Sequence, residues 1–187
     1  YGTVKHPTRF VDHFAGAKLT DGWHWSVFQN VTYTVSKNTL QLKALSSPGG
    51  AYIGQSVRSA NYNARVTVQT KSTASAGLAL IGDDKNIMYA AVKGNRIYVT
   101  QLKAGKAEVI AEKTYKASPT VILKVSVQNN TQVSFMYSTD GTKFIPLNDQ
   151  QLDASYLPPW DRAVRAGLVS KGETGTSALF REFVINY

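Results

Sequence analysis

The sequence contains no cysteine, and it has only four glutamates and three histidines among its 187 residues. The absence of cysteine excludes a disulfide framework, a cysteine metal site and a cysteine nucleophile. No apolar run approaches the ~20 residues that a membrane-spanning helix needs, so we expect no membrane association. The N-terminus has neither a basic start nor an apolar signal core. We therefore expect that any export signal was removed or never belonged to this chain.

The few acidic residues give little support to an enzymatic role. Glycoside hydrolysis normally needs two carboxylates that face each other across the sugar. Glu108 and Glu112 lie near lysines in a segment typical of a solvated hairpin, and the other two glutamates are Glu173 and Glu182. The sequence also lacks a Gly-x-Ser-x-Gly nucleophile elbow and a glycine-rich phosphate loop. We therefore predict no catalytic residue in this chain.

Residues able to bind a metal are equally sparse. The histidines all lie within the first 24 residues, and no second cluster of acids is present to complete a site. Asp83, Asp84 and Asn86 form an oxygen-rich segment that is a weak calcium candidate. A solvated turn is the favoured interpretation, because no acidic residue follows at ligand spacing. We expect no cofactor, with a structural calcium ion as the alternative.

The chain is basic, with 21 lysines and arginines against 12 acidic residues and a net charge of +9. Such a balance raises the question of a nucleic-acid partner. The basic residues, however, are spread singly along the chain. This pattern favours an evenly solvated basic surface, so we predict no nucleic-acid partner.

Residues 121–144 give the clearest structural signal. Apolar and polar residues alternate here, so Leu123, Val125, Phe135 and Tyr137 are predicted to point into a core. The polar residues 129–131 and the Asp-Gly pair at 140–141 predict two tight turns between strands. The segment is thus a three-stranded meander with one apolar face, and such a face must pack against another sheet.

The remaining sequence contains similar short alternating segments, which bring the total to about 13 strands. We therefore predict an all-β fold, a two-sheet antiparallel β-sandwich of the jelly-roll type. Residues 1–187 form one domain, with 1–8 as a linker. Trp23 and Trp25 share strand parity, so we expect both on one sheet face, and residues 149–156 are expected to contain a helical turn.

The order of these signals resembles the concanavalin A-like (laminin G-like) β-sandwich that forms the C-terminal module of family 43 glycoside hydrolases, the β-xylosidase group. The matching segments cover nearly the whole chain and read DHFAGAKLTDGWHW, TLQLKA, SAGLALIGDDKNIMYAAV, VSFMYSTDGTKF and RAGLVSKGETGTSALFREFVIN. The resemblance implies a module that binds polysaccharide or packs against a catalytic domain. Sandwiches of this type often carry a calcium-binding aspartate in the last strand, where this chain has Arg181 and Glu182 instead.

Aromatic residues near irregular segments are the candidates for carbohydrate binding, because pyranose rings stack on flat aromatic side chains. The longest irregular segments are residues 46–50, 83–86 and 153–162. If they converge, rings and arginines would form a slot for neutral or mildly acidic sugars. The predicted binding residues are Trp25, Tyr52, Arg58, Tyr89, Tyr156, Trp160 and Arg162. Burial in the core is the competing interpretation for the tryptophans in strands.

The leading hypothesis is a non-catalytic carbohydrate-binding or accessory module of an extracellular or periplasmic glycoside hydrolase that acts on plant-type polysaccharide. Its partners would be a polysaccharide or oligosaccharide and a catalytic domain of the same polypeptide. Two alternatives stay open, a free-standing sandwich enzyme that acts on a glycan and a protein-interaction domain without sugar binding. Convergent acids in a groove would favour the enzyme, and a large flat apolar patch would favour the protein partner.

Overall fold

The computed structural model describes residues 6–157 and 163–187, and this part of the chain contains 15 strands and no helix. Accordingly, none of these residues belongs to a helix that could span a membrane. The strands form two antiparallel sheets, as the sequence predicts. The predicted all-β fold with two antiparallel sheets is thereby confirmed.

The first sheet has nine strands and the second has six. In spatial order the first contains β12 (Ile145–Pro146), β11 (Gln132–Ser138), β10 (Thr120–Gln128), β5 (Tyr62–Gln69), β15 (Ser177–Asn186), β3 (Thr39–Lys43) and β2 (Tyr33–Ser36), with β1 (Arg9–Asp12) beside β15 and β13 (Leu152–Asp153) beside β11. The second contains β4 (Ala51–Ser56), β14 (Arg165–Lys171), β6 (Ser75–Asp83), β7 (Asn86–Lys93), β8 (Arg96–Lys103) and β9 (Lys106–Thr114).

The β10–β11 hairpin carries the predicted alternation into the core. Leu123 pairs with Tyr137, and Val125 pairs with Phe135, so all four side chains share one face. They are buried in the main hydrophobic core, where the inner faces of the two sheets meet. The turn at residues 129–130 uses two asparagines with positive φ, as expected for residues that tolerate the left-handed region. The inward positions predicted for this hairpin are therefore confirmed.

A buried carboxylate organises the first loop of the chain. Asp12 is only 2% exposed. It accepts hydrogen bonds from Phe14 N at 2.7 Å, from Thr20 Oγ1 at 2.8 Å and from Trp23 Nε1 at 2.9 Å. The indole of Trp23 then packs against Phe183, with 5.0 Å between ring centroids. One charged side chain thus satisfies several buried donors and holds the loop against the core.

Two local expectations are wrong. Trp23 is 7% exposed and Trp25 is 44% exposed, so one sheet face does not take both rings. The reason is that residues 22–30 form no regular strand and pair with the sheet only at His24. The helical turn expected at residues 149–156 is also absent from the structure. This segment contains the short strand β13 and a turn in which the Asp153 carboxylate accepts hydrogen bonds from the backbone N–H and the hydroxyl of the serine two residues later.

Candidate functional site

The six-stranded sheet is covered on both faces. β6 and β7 are nearly continuous runs of buried residues. The outer face, which points away from the nine-stranded sheet, carries a second apolar cluster. Its members are Tyr52, Ala79, Ile81, Ile87, Tyr89, Ala91, Tyr98, Leu102 and Val169. A sheet face open to solvent would show exposed residues at every second position, so other parts of the chain must cover this cluster.

Three connecting segments converge over this outer face: residues 22–30, 46–50 and 83–86. His24 pairs with Gly54 through backbone hydrogen bonds of 2.9 and 2.8 Å, which attach the first segment to the edge strand β4. Gly49 of the second segment lies directly against Ile87, where an added Cβ atom would come within 2.9 Å of Ile87 Cδ1. The small size of glycine thus lets this segment pack closely on the sheet without displacing the end of the Ile87 side chain.

Asp84 connects these segments to the sheet. Its Oδ1 accepts a hydrogen bond from the Tyr52 hydroxyl at 2.8 Å, and its Oδ2 accepts one from the Ser26 hydroxyl at 2.8 Å. Ser26 Oγ in turn accepts a hydrogen bond from Phe28 N at 3.1 Å. Burial, followed by the neighbouring Asp84 carboxylate, raises the pKa of Tyr52 above its usual value. The phenol therefore stays protonated and keeps donating to Asp84 at neutral pH.

The converging segments leave an open cleft of about 740 Å³, which we name the rim cleft. It is lined by residues 28–30, 45–47 and 83–85. Phe28 is 87% exposed and forms one aromatic wall. Gln29 Nε2 donates to Gly50 O at 3.0 Å, and Gln29 Oε1 is buried without a protein partner within the described ranges. The rim cleft thus combines an exposed ring with hydroxyl, amide and carboxylate groups.

The aromatic residues nominated from the sequence lie in different environments. Tyr52 and Tyr89 belong to the outer-face cluster and are 3% and 1% exposed, so neither ring is open to a ligand. Burial raises the pKa of Tyr89 to about 12. Trp25 has an exposed ring and contacts Tyr33 edge-on, with 6.1 Å between centroids. Trp25 belongs to the segment 22–30 but does not line the rim cleft.

The other nominated residues do not join these aromatics. Arg58 lies in a separate depression of about 580 Å³. Tyr156 is half-buried, and its hydroxyl donates to Ile87 O at 3.0 Å. Trp160 and Arg162 lie outside the described residues. A role for each of these residues in sugar binding stays a prediction, and Arg58 does not line the rim cleft.

Sequence reasoning missed Ser26, Phe28 and Gln29. The alternation of Trp23 to Ser26 imitates a strand, so the segment was expected to pair regularly and to carry its rings on one face. The available signal was the apolar Val27-Phe28 pair between polar neighbours, which breaks that alternation. Both residues of this pair are highly exposed, at 84% and 87%. Their exposure follows from the loop conformation, which periodicity does not report.

Residues 11–167 match the family described as the β-xylosidase C-terminal concanavalin A-like domain. This match covers well over half of the chain. The chain belongs to this family. A search of curated protein sequences finds no match.

Solved structures support the same fold. The xylan β-1,4-xylosidase from Bacillus halodurans C-125 superimposes with a TM-score of 0.84 at 14% identity, covering 100% of this chain and 40% of that chain. The GH43 BlXynB protein from Bacillus licheniformis gives 0.80 at 18% identity, covering 100% and 41%. The 187-residue chain therefore spans about two fifths of the length of each of these two proteins. The carbohydrate-binding module CBM66 from Bacillus subtilis gives 0.59 at 18% identity, covering 89% and 96%.

The weak calcium candidate has its oxygens engaged in holding a turn. Asp83 Oδ1 accepts hydrogen bonds from Lys85 N at 2.8 Å and from Asn86 Nδ2 at 2.9 Å. Asn86 Oδ1 accepts a hydrogen bond from Ala104 N at 3.0 Å, and Asp84 already holds two hydroxyl groups. Within residues 6–157 and 163–187, no group of three or more acidic, histidine or cysteine side chains is arranged to hold a metal ion. These hydrogen bonds account for the segment as a turn, and calcium binding by it stays a prediction.

The glutamates lie in surface positions. Glu112 pairs with Arg96 on the six-stranded sheet at 3.1 Å, and Glu182 pairs with Arg65 on the nine-stranded sheet at 3.3 Å. Glu108 is exposed on the edge strand β9. Glu112 and Glu182 lie on different sheets, so they do not face each other across one groove. Each of these two glutamates forms an exposed ion pair, and pairs of this kind contribute little to stability.

Proposed function

We propose that this chain is a non-catalytic accessory module of an exported glycoside hydrolase that acts on plant-type polysaccharide. In this role it binds a polysaccharide or oligosaccharide and packs against a catalytic domain of the same polypeptide. The observation that carries the proposal is the rim cleft, where the exposed Phe28 ring stands beside hydroxyl, amide and carboxylate groups. Such a combination suits a ligand with apolar ring faces and polar edges, as a sugar has.

The comparisons support both halves of the proposal. The family is that of β-xylosidase C-terminal domains, and the chain covers 40% and 41% of the two xylosidase-like structures. The remaining 60% or so of such a protein can therefore supply the catalytic domain. A carbohydrate-binding module shares the fold over 89% of this chain. Family membership thus favours the accessory role, and the similarity to a carbohydrate-binding module favours sugar binding.

Because the outer face of the six-stranded sheet is covered, the rim cleft is the more accessible place for a sugar to bind. Tyr52, Tyr89 and Tyr98 are all buried there, so the sheet offers no open aromatic platform across its width. An extended polysaccharide lying along the sheet would have to displace residues 46–50. The rim cleft, in contrast, is already open and has the volume typical of small-ligand sites, ~300–1,000 Å³.

A protein-docking role is the second candidate function, and the exposure of Val27 and Phe28 favours it. The pair projects from the loop at 84% and 87% exposure. Exposed apolar side chains of this kind often contact a partner protein. In that case the loop would pack against the catalytic domain and no glycan would bind.

The test combines binding and hydrolysis by the 187-residue chain. Affinity electrophoresis on xylan, arabinan and β-glucan should retard the chain in at least one gel, while the same polysaccharides should release no reducing sugar. Polyacrylamide gels without polysaccharide provide the control for charge effects. Sugar release that disappears in Glu108→Gln or Glu173→Gln would contradict the non-catalytic role. Absence of retardation in every gel would contradict glycan binding and favour docking.

A further inference from the structure

The residues that line the rim cleft limit which class of ligand can bind there. We infer, on the basis of the proposed function, that the rim cleft binds an uncharged saccharide whose ring stacks on Phe28 and whose hydroxyls bond to the polar wall. No role in sugar binding was expected for Phe28 from the sequence. The inference concerns one site and one ligand class, so it can fail while the accessory role stands.

The loop backbone at Phe28 is held in position. Its N–H donates to Ser26 Oγ at 3.1 Å, and Ser26 donates to Asp84 at 2.8 Å. Asp84 is held from the sheet side by Tyr52, also at 2.8 Å. A chain of three hydrogen bonds therefore connects the backbone that carries an 87% exposed ring to a buried residue of β4. A loop backbone fixed in this way loses little conformational entropy when a ligand arrives.

The wall of the cleft offers more acceptors than donors. Each carboxylate oxygen of Asp84 already accepts one hydroxyl and can accept a second hydrogen bond. Gln29 Oε1 has no donor among the residues the structure describes, but this atom is shielded from solvent, and only the accessible acceptors are available to a ligand. Sugar hydroxyls, which donate and accept, match this surplus of acceptors.

Charge excludes an acidic sugar. Among the residues that the structure describes, the lining contains the carboxylates of Asp83 and Asp84 and one cation, Lys85. A uronate placed beside two carboxylates would meet like charge at close range, which is unfavourable. Arg58, one of the arginines that the sequence nominated for such a group, lies in a different depression. The ligand is therefore neutral, and the mildly acidic sugars considered from the sequence do not fit this cleft.

The test uses isothermal titration calorimetry with neutral xylohexaose and arabinohexaose and with acidic oligogalacturonate, at about 0.15 M salt. Charges beyond ~8 Å are screened at this salt concentration, so the +9 net charge does not dominate. Phe28→Ala should weaken neutral binding roughly tenfold, equivalent to about 1.4 kcal/mol. Phe28→Trp should retain binding. Oligogalacturonate should bind at least tenfold more weakly than the neutral ligand.

Val27→Ala is the matched control, because Val27 is adjacent and 84% exposed but does not line the cleft. Its binding should stay within twofold of wild type, and thermal unfolding should show that all variants fold. Unchanged binding by Phe28→Ala overturns the site but leaves the proposed function. Equal loss in both alanine variants also overturns it and favours a general apolar contact. If wild type binds neither neutral probe while a polysaccharide gel still retards it, the site fails and the glycan half of the proposed function stands. If no gel retards it either, both fail.

Discussion

Replacing Asp84 with alanine should destabilise the fold by about 3 kcal/mol. The carboxylate accepts two hydroxyl hydrogen bonds of 2.8 Å, from Tyr52 and Ser26. Hydrogen bonds to a charged group contribute ~1.5–3 kcal/mol each, and the lower value applies because Asp84 is only half-buried. The substitution also leaves the hydroxyl of the 3% exposed Tyr52 without its acceptor.

Two further variants separate the interaction energy between Asp84 and Tyr52 from a general disturbance of the turn. Tyr52→Phe should cost only about 1 kcal/mol, because the carboxylate that remains can be hydrated. The double variant should lose less than the sum of the single losses, with a coupling energy of about 1–2 kcal/mol. Asp83→Ala is the control, since Asp83 bonds only within its own turn.

The measurement is urea unfolding followed by tryptophan fluorescence, with equal m values required for comparison. Losses below about 0.5 kcal/mol for Asp84→Ala would be within the range of ordinary surface substitutions. Such a result, or strict additivity with Tyr52→Phe, would refute the conclusion that this carboxylate fastens the loops to the sheet. A loss of glycan affinity in Asp84→Ala would then need another explanation.

Three other outcomes are expected. Asp12→Asn should lower the free energy of unfolding by about 3 kcal/mol and shift the tryptophan emission. The reason is that the new amide NH₂ would face the N–H donors of Phe14 and Trp23 at a site that is only 2% exposed. Native emission and stability would contradict this. Gly167→Ala should prevent folding or lower the free energy of unfolding by more than about 3 kcal/mol. The added Cβ atom would lie 2.0 Å from Ile53 O. Soluble expression with a wild-type melting temperature would count against this prediction. The raised pKa of Tyr89, about 12 against a usual 10.0, stabilises the fold below pH 10, and this stability should be lost as the pH rises from 10 to 12. Two units correspond to about 3 kcal/mol, and in urea unfolding at increasing pH the variant Tyr89→Phe should show a shallower decline.

The alternation of side chains was sufficient to predict the class of fold. Strands with one face in the main core, such as β10 and β11, keep a two-residue period because one side meets the opposite sheet and the other meets water. Their turns were equally local, since asparagine and glycine tolerate positive φ without help from distant residues. The order of motifs was enough to recognise the family, which the match over residues 11–167 confirms.

The tertiary structure alone decided which aromatic rings are exposed. Tyr52 and Tyr89 are buried in the outer-face cluster, where the Tyr52 hydroxyl bonds to Asp84 from 32 residues away, and no local pattern encodes such a contact. Trp23 is buried because Asp12, eleven residues earlier, accepts its indole N–H, whereas Trp25 has no such partner in the described structure. Exposure depends on contacts between distant residues, while strand periodicity depends on immediate neighbours. The sequence therefore determined the sandwich, and only the folded chain determined where a ligand can reach it.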